Sequence, residues 1–221
     1  MKNIFHVVYD DVEALDFVGS HDVFAMACYV HEQTSSENIP FKQYVISHSC
    51  KPIKTAEGIT ITPDFSFDQE LPKVDIIVIP GGPNVRDIER NDPMIEWIKN
   101  YYNGVTNIMA VCLGAFPLIE ALGNLLNEHQ LTTHHLALDS FETRLQELNI
   151  DAKVERGARY IYSGKVITTA GVSAGIDGAF YLLNVLKGDL LTAETAKIME
   201  YNRTINWTEE TKLPTYKQLK Y

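Results

Sequence analysis

Basic residues are scarce: nineteen Lys and Arg stand against twenty-nine Asp and Glu in 221 residues, a formal charge of -10. Recognition of phosphate backbones rests on clustered Lys and Arg, and with no such cluster nucleic acid is excluded as the main partner. Long apolar runs are missing as well, and none approaches the roughly 20 residues that cross a bilayer. No membrane span is expected. Cysteine is limited to Cys28, Cys50 and Cys112, an odd number with no close pair and no His at metal spacing. That excludes a disulfide framework and a zinc site. The N-terminal apolar stretch meets Asp10 and Asp11 before any cleavage site could form, so it reads as a first strand rather than a signal peptide. A reducing, cytoplasmic setting is therefore the expectation.

What the chain does have is an ordinary globular composition, 45% hydrophobic and 22% charged, with enough length for a sizeable core. Dense β-branched and aromatic runs at 2–9, 43–47, 74–80, 105–111 and 166–169 read as buried strands. Between them, segments 14–30, 92–101, 113–122, 139–148 and 174–187 carry helical spacing. Strands apolar on both faces that alternate with helices predict a mainly parallel sheet covered on both sides, a three-layer α/β/α sandwich. Residues 51–65 alternate and meet Pro63, which predicts a small antiparallel hairpin or a strand leading into a loop. A further strand pair is expected within 152–162, ending at the turn dipeptide Ser163-Gly164, and a last helix capped by Thr192 with Thr195 three residues on. A polar and aromatic tail occupies 208–221, and with no internal repeat or linker the chain reads as one domain.

The most informative segment is VTNIMAVCLGAFPLIEALG, 105–123, in which a strand ends at Val111, Cys112 follows, and Leu113-Gly114-Ala115 opens a helix. A nucleophile at such a strand-to-helix turn is exposed above the sheet, and the helix amides would lower its thiol pKa. Cys112 reads equally well as a small buried hydrophobe. In IIVIPGGPNVRDI, Gly81-Gly82 reads as an anion nest or as an ordinary strand-to-helix turn; beside Cys112, the amides of Gly82 and Leu113 could form an oxyanion hole. Asp16 sits among apolar residues after the first strand, as a carboxyl with a raised pKa that shares a proton with a thiol, as a helix cap, or as both. His134 and His135 could pair with a thiol or sit at the surface or behind the pocket.

Together the elbow AVCLGAF, the IPGG loop, LDFVGSHDVF and TTAGVSAGIDGAFYLL resemble the DJ-1/PfpI superfamily over residues 3–202. The chain is most similar to the branch holding isonitrile hydratases and the amidase-like domains of AraC-type regulators. The matching residues are Leu15-Asp16, Cys112, Thr132 to His134 and Gly171 to Asp177. The resemblance implies a flavodoxin-like sandwich with Cys112 as nucleophile, Asp16 as its protonated partner, Gly82 and Leu113 as oxyanion donors, and Gly81, His134 and His135 nearby. It also implies a small-molecule substrate, no cofactor or metal, and a homodimer with its site near the interface. Position 113 is Leu, where the peptidases of this superfamily have His and the hydratases often have Thr. The implied activity is cysteine-dependent hydration of an isonitrile, with glyoxalase-like conversion of reactive aldehydes or a redox-sensor role as alternatives.

Overall fold

The computed structural model describes residues 1–34, 38–88 and 91–202, and the tail read at 208–221 lies outside the described residues. In chain order the strands are β1 (Lys2–Val7), β2 (Phe41–Ser47), β3 (Ile53–Lys54), β4 (Thr60–Ile61), β5 (Phe65–Ser66), β6 (Ile76–Ile79), β7 (Asn107–Val111), β8 (Gln130–Leu131), β9 (Lys153–Val154), β10 (Tyr160–Ser163) and β11 (Val166–Thr169). The helices are α1 (Ala14–Thr34), α2 (Pro93–Tyr102), α3 (Ala115–Leu122), α4 (Leu138–Glu147), α5 (Ala174–Lys187) and α6 (Asp189–Ile198).

One seven-stranded sheet runs in the order β10-β11-β7-β6-β1-β2-β5, with every pairing parallel except β10 with β11. Counting β1, β2, β6, β7 and β11 as first to fifth, the order is 2-1-3-4-5, the flavodoxin-like arrangement, with its switch point between β1 and β6. Successive side chains of a strand point to opposite faces, and here both faces are apolar. Ile4 joins Val23, Phe24 and Phe180 on the side of α1 and α5, while Phe5 joins Trp97, Ile98 and Leu118 on the side of α2 and α3. This is the α/β/α sandwich expected from the sequence. Burying rings such as Phe24 and Phe180, both fully inaccessible, stabilises the layers by roughly 2–3 kcal/mol each.

Local signals explain the boundaries. Asp92 caps α2 by accepting the Met94 amide at 2.8 Å, and Pro93 occupies its first turn. The segment 51–65 forms the antiparallel β3–β4 hairpin, turning at Gly58 with φ 90°. Two expectations need correcting. The strands within 152–162 do not pair with each other: β9 pairs in parallel with β8, and β10 pairs with β11. The reason is Gly164, whose φ of 64° turns the chain forward into β11. The last helix begins at Asp189, not Thr192; the Thr192 hydroxyl lies inside it and donates to Gly188 O at 2.8 Å. No helix among the described residues is long and apolar enough to cross a membrane.

Candidate active site

The C-terminal ends of β1, β6 and β7 lie side by side, and the loops that leave them bring the candidate residues together. Val111 is extended, and Cys112 then takes φ 57°, a left-handed conformation rare for a residue with a side chain. A single-turn 3-10 helix, Cys112–Gly114, leads into α3. Holding a non-glycine residue there costs on the order of 1–2 kcal/mol, and the surrounding contacts keep it in place. One of these is Thr133, whose hydroxyl donates to Cys112 O at 2.8 Å.

Asp16 arrives from α1. It lies in the first turn of the helix and is fully inaccessible, with Oδ2 accepting the Gly81 amide at 2.9 Å. The cap reading is therefore corrected, because this carboxyl serves the β6 loop rather than its own helix end. Oδ1 is buried with no hydrogen-bond partner. With Oδ2 already an acceptor, Oδ1 is the oxygen left to carry an acid proton. Gly81 is what allows the approach: a Cβ there would lie 2.7 Å from Leu113 N, 2.8 Å from Asp16 Oδ2 and 3.0 Å from Cys112 Cβ. Gly171 closes the far side, since a Cβ on it would stand 2.7 Å from Cys112 Sγ.

Burial raises the Asp16 carboxyl to about 7; the Gly81 amide pulls the other way, and the charge of Glu13 adds to the rise. The Cys112 thiol is also pushed up, first by burial and then by the Asp16 charge, while the Leu113 amide lowers it. The helix amide therefore acts in the direction read from the sequence, but burial outweighs it, and the expected low-pKa thiol is corrected. At neutral pH the pair gives up its first proton through Asp16. The resulting carboxylate stands beside a thiol from which it can take a proton.

His134 is half-buried, with its ring against Gly171, so it neighbours the cysteine across that glycine. Its Nδ1 accepts the Leu136 amide at 3.3 Å, and burial followed by the neighbouring His135 lowers its pKa. His135 is exposed and stacks on His134, 4.4 Å between ring centroids. Gly82 packs on the loop after β1: a Cβ on it would meet Asp11 O at 2.5 Å.

Sequence reasoning missed three residues. Tyr9 donates its hydroxyl to Pro80 O at 2.8 Å, and its ionisation is pushed up by burial and then by the Asp16 and Cys112 charges. Glu13 and Glu57 also act on the Asp16 carboxyl. Tyr9 could have been found from its place at the end of the first strand. Glu57 gave no signal, because only the hairpin fold brings it here.

The model of the DJ-1/PfpI family matches residues 2–205. Isonitrile hydratase from Pseudomonas putida is 25% identical over 195 residues, covering 88% of this chain and 74% of that one. Glutathione-independent glyoxalase DJR-1.2 from Caenorhabditis elegans is 27% identical over 146 residues, 63% of this chain and 70% of that one. Among solved structures, a THiJ/PfpI family protein from Pseudomonas syringae superposes with a TM-score of 0.76 at 22% identity, covering 93% of this chain and 78% of its own. An AraC family transcriptional regulator from Pseudomonas putida gives 0.71 at 16%, covering 90% and 100%.

Proposed function

The chain belongs to the DJ-1/PfpI family, and from that premise we propose that it is a cysteine-dependent hydratase of small electrophiles, with an isonitrile as the substrate class. The observation that carries this reading is the buried Asp16 carboxyl, held by Gly81 beside the Cys112 elbow with Oδ1 unpartnered. The Cys112 proton passes to Asp16 as sulfur attacks the terminal isonitrile carbon. A C–S bond forms and Asp16 delivers the proton to that carbon, giving a thioimidate. One water then adds to the same carbon. Collapse of the adduct breaks the C–S bond, releases an N-substituted formamide and restores the thiol, with Asp16 again a carboxylate. Atoms balance as isonitrile plus water, with no oxidation and no call on a metal or organic cofactor.

Gly82 and Leu113 are assigned as amide donors to negative charge developing on the substrate. Leu113 cannot supply a side-chain hydroxyl, so its backbone N–H carries that role alone. A homodimer is part of the same reading. Cys112 is only 7% exposed in the single chain, and a cleft of about 600 Å³ at the switch point includes Tyr9 but, among the described residues, neither Cys112 nor Asp16 in its lining.

Glyoxalase-like hydration of methylglyoxal is the second reading, favoured by the similarity to the nematode glyoxalase. A redox sensor needs an accessible thiol of low pKa, and the burial of Cys112 disfavours it. Steady-state turnover of cyclohexyl isocyanide and of methylglyoxal by wild type, Cys112→Ser and Asp16→Asn tests the proposal. Formamide production lost in both variants is the expected result. Turnover of methylglyoxal alone would transfer the assignment to the second reading, and turnover of neither would sink it.

A further inference from the structure

The carbonyl of Pro80 and the amide of Gly81 belong to one planar trans peptide unit, so they point in opposite directions and can only turn together. Both ends of this unit are held. The Tyr9 hydroxyl donates to Pro80 O at 2.8 Å, and Gly81 N donates to Asp16 Oδ2 at 2.9 Å. Its surroundings are fixed as well: Glu13 N donates to Gly81 O at 2.9 Å, which pins the next peptide, and a Cβ on Gly114 would stand 2.9 Å from Pro80 O. A single peptide therefore connects the side chain after β1 to the carboxyl of α1.

Which way that peptide faces decides what Asp16 meets. With its amide on Oδ2 it offers a donor, which stabilises a carboxylate; turned over, it would offer a carbonyl oxygen, beside which only a protonated carboxyl is at ease. The first orientation is the one that turns Pro80 O to the Tyr9 hydroxyl. A hydrogen bond on the carbonyl also polarises the unit and makes its N–H a stronger donor.

We propose that Tyr9 is a positioning residue of the site: its hydroxyl fixes the Pro80–Gly81 peptide with the amide on Asp16, and so favours the carboxylate that takes the Cys112 proton. The role deepens the hydratase reading and rests on it for its catalytic consequence. Burial raises the Asp16 carboxyl, and the Gly81 amide leads the effects that pull it back, so whatever sets that amide is felt at Asp16. Tyr9 is half-buried, and burial followed by the Asp16 and Cys112 charges pushes its ionisation well up. It thus remains a hydroxyl donor at every pH at which Asp16 titrates. Its one proton is committed to Pro80 O, so it acts through the peptide and not on sulfur.

Other ionisable groups face this pair. Glu13 before α1 and Glu57 from the β3–β4 hairpin oppose the charged form of Asp16, and Cys112 faces it from the elbow. On the cleft side, Tyr9 shares a lining with His48 after β2, Asp87 in the loop after β6 and Asp92 at the start of α2. Tyr9→Phe leaves all of them in place and removes the hydroxyl alone.

The test follows the protonated Asp16 carboxyl through its carbonyl stretch in pH-difference infrared spectra of the full chain, with Asp16→Asn as the blank that identifies the band. Formamide production from cyclohexyl isocyanide is measured against pH on the same samples, and thermal melts check that each variant folds. In Tyr9→Phe the band midpoint is expected to move to higher pH by roughly half a unit to one unit, and the acidic limb of kcat/KM moves with it. Turnover near neutral pH falls by roughly twofold to fivefold and recovers at higher pH, a pattern that a merely structural role would not give. A tyrosine fluorinated beside its hydroxyl, placed at position 9, is a stronger donor that should shift the midpoint to lower pH, and it decides the matter if Tyr9→Phe does not fold. A Tyr9→Phe midpoint identical to wild type, or no band that Asp16→Asn removes, overturns the role of Tyr9 and leaves the hydratase reading to stand on its own turnover. If the midpoint moves but the wild type makes no formamide, the hold of Tyr9 on Asp16 is upheld and the hydratase reading fails.

Discussion

The Gly81 amide donates to Asp16 Oδ2 at 2.9 Å and so joins the β6 loop to the first turn of α1 across the switch point of the sheet. That bond decides which oxygen of the carboxyl is free for chemistry, and the absent side chain of Gly81 lets the elbow close onto both.

Gly81→Ala is expected to break this arrangement, because the added methyl would stand 2.7 Å from Leu113 N and 2.8 Å from Asp16 Oδ2. Leu113 N is backbone, and Asp16 Oδ2, though a side-chain end, is buried and held by the Gly81 amide. A loss of about 1–3 kcal/mol in stability and of turnover is the expected outcome, measured by urea melts and by formamide production. A wild-type melt with wild-type turnover would show that the loop yields freely.

Gly171→Ala probes the other wall. Its methyl would fall 2.7 Å from Cys112 Sγ, so iodoacetamide alkylation should slow by roughly tenfold or more, equivalent to about 1.4 kcal/mol of added barrier. Denatured protein, in which all three cysteines react alike, supplies the control. An unchanged native rate would place Gly171 outside the path to sulfur.

Asp16 makes stability depend on pH in an unusual direction for a carboxyl. Its folded-state pKa of about 7 lies above its ordinary 3.8, so the folded protein holds a proton that the unfolded chain has released. Its contribution is fully present below about pH 4 and is lost as pH rises to about 7. Asp16→Asn removes this loss, so the variant should gain on wild type by up to roughly 2–4 kcal/mol at pH 8 and little at pH 4. Urea midpoints at the two pH values give the answer, and equal gains at both would show that Asp16 is not held protonated.

His6 works with the opposite sign. It is inaccessible, with Nδ1 unpartnered, Nε2 2.8 Å from Gln43 Oε1, and its ring 5.1 Å from that of His21. Burial, then the His21 charge, lowers its pKa from 6.5 to about 3. The unfolded chain therefore binds a proton that the folded protein refuses, and stability falls as pH drops from about 6.5 towards 3. His6→Gln, which can still meet Gln43 but does not ionise, should flatten the stability profile over that window. Parallel profiles for the two proteins would assign the acid sensitivity elsewhere.

Much of this protein is set by the order of its residues. Buried strands such as Ile76–Ile79 are apolar on both faces, and that pattern suits only a sheet covered on two sides. The elbow is local as well, since a β-branched strand followed by Cys112, Leu113 and Gly114 places a thiol at a sheet end whatever lies around it. Chain order also puts Asp16 among apolar neighbours, which is enough to anticipate a raised carboxyl. Pairing was harder to read: β9 and β10 are adjacent in sequence but join different partners, because strand pairing is a choice among distant segments.

The electrostatics of the site were decided only in three dimensions. Whether helix amides lower the Cys112 thiol or burial raises it depends on how deeply the elbow is packed, and packing is a sum over neighbours far apart in the chain. The same holds for His134, whose Nδ1 accepts the Leu136 amide, and for Glu57, brought to α1 by a hairpin more than forty residues downstream. Sequence determines which groups can ionise and where a turn will expose them; only the folded environment sets the energy of their charged forms, because desolvation and Coulomb interactions act through space and not along the chain.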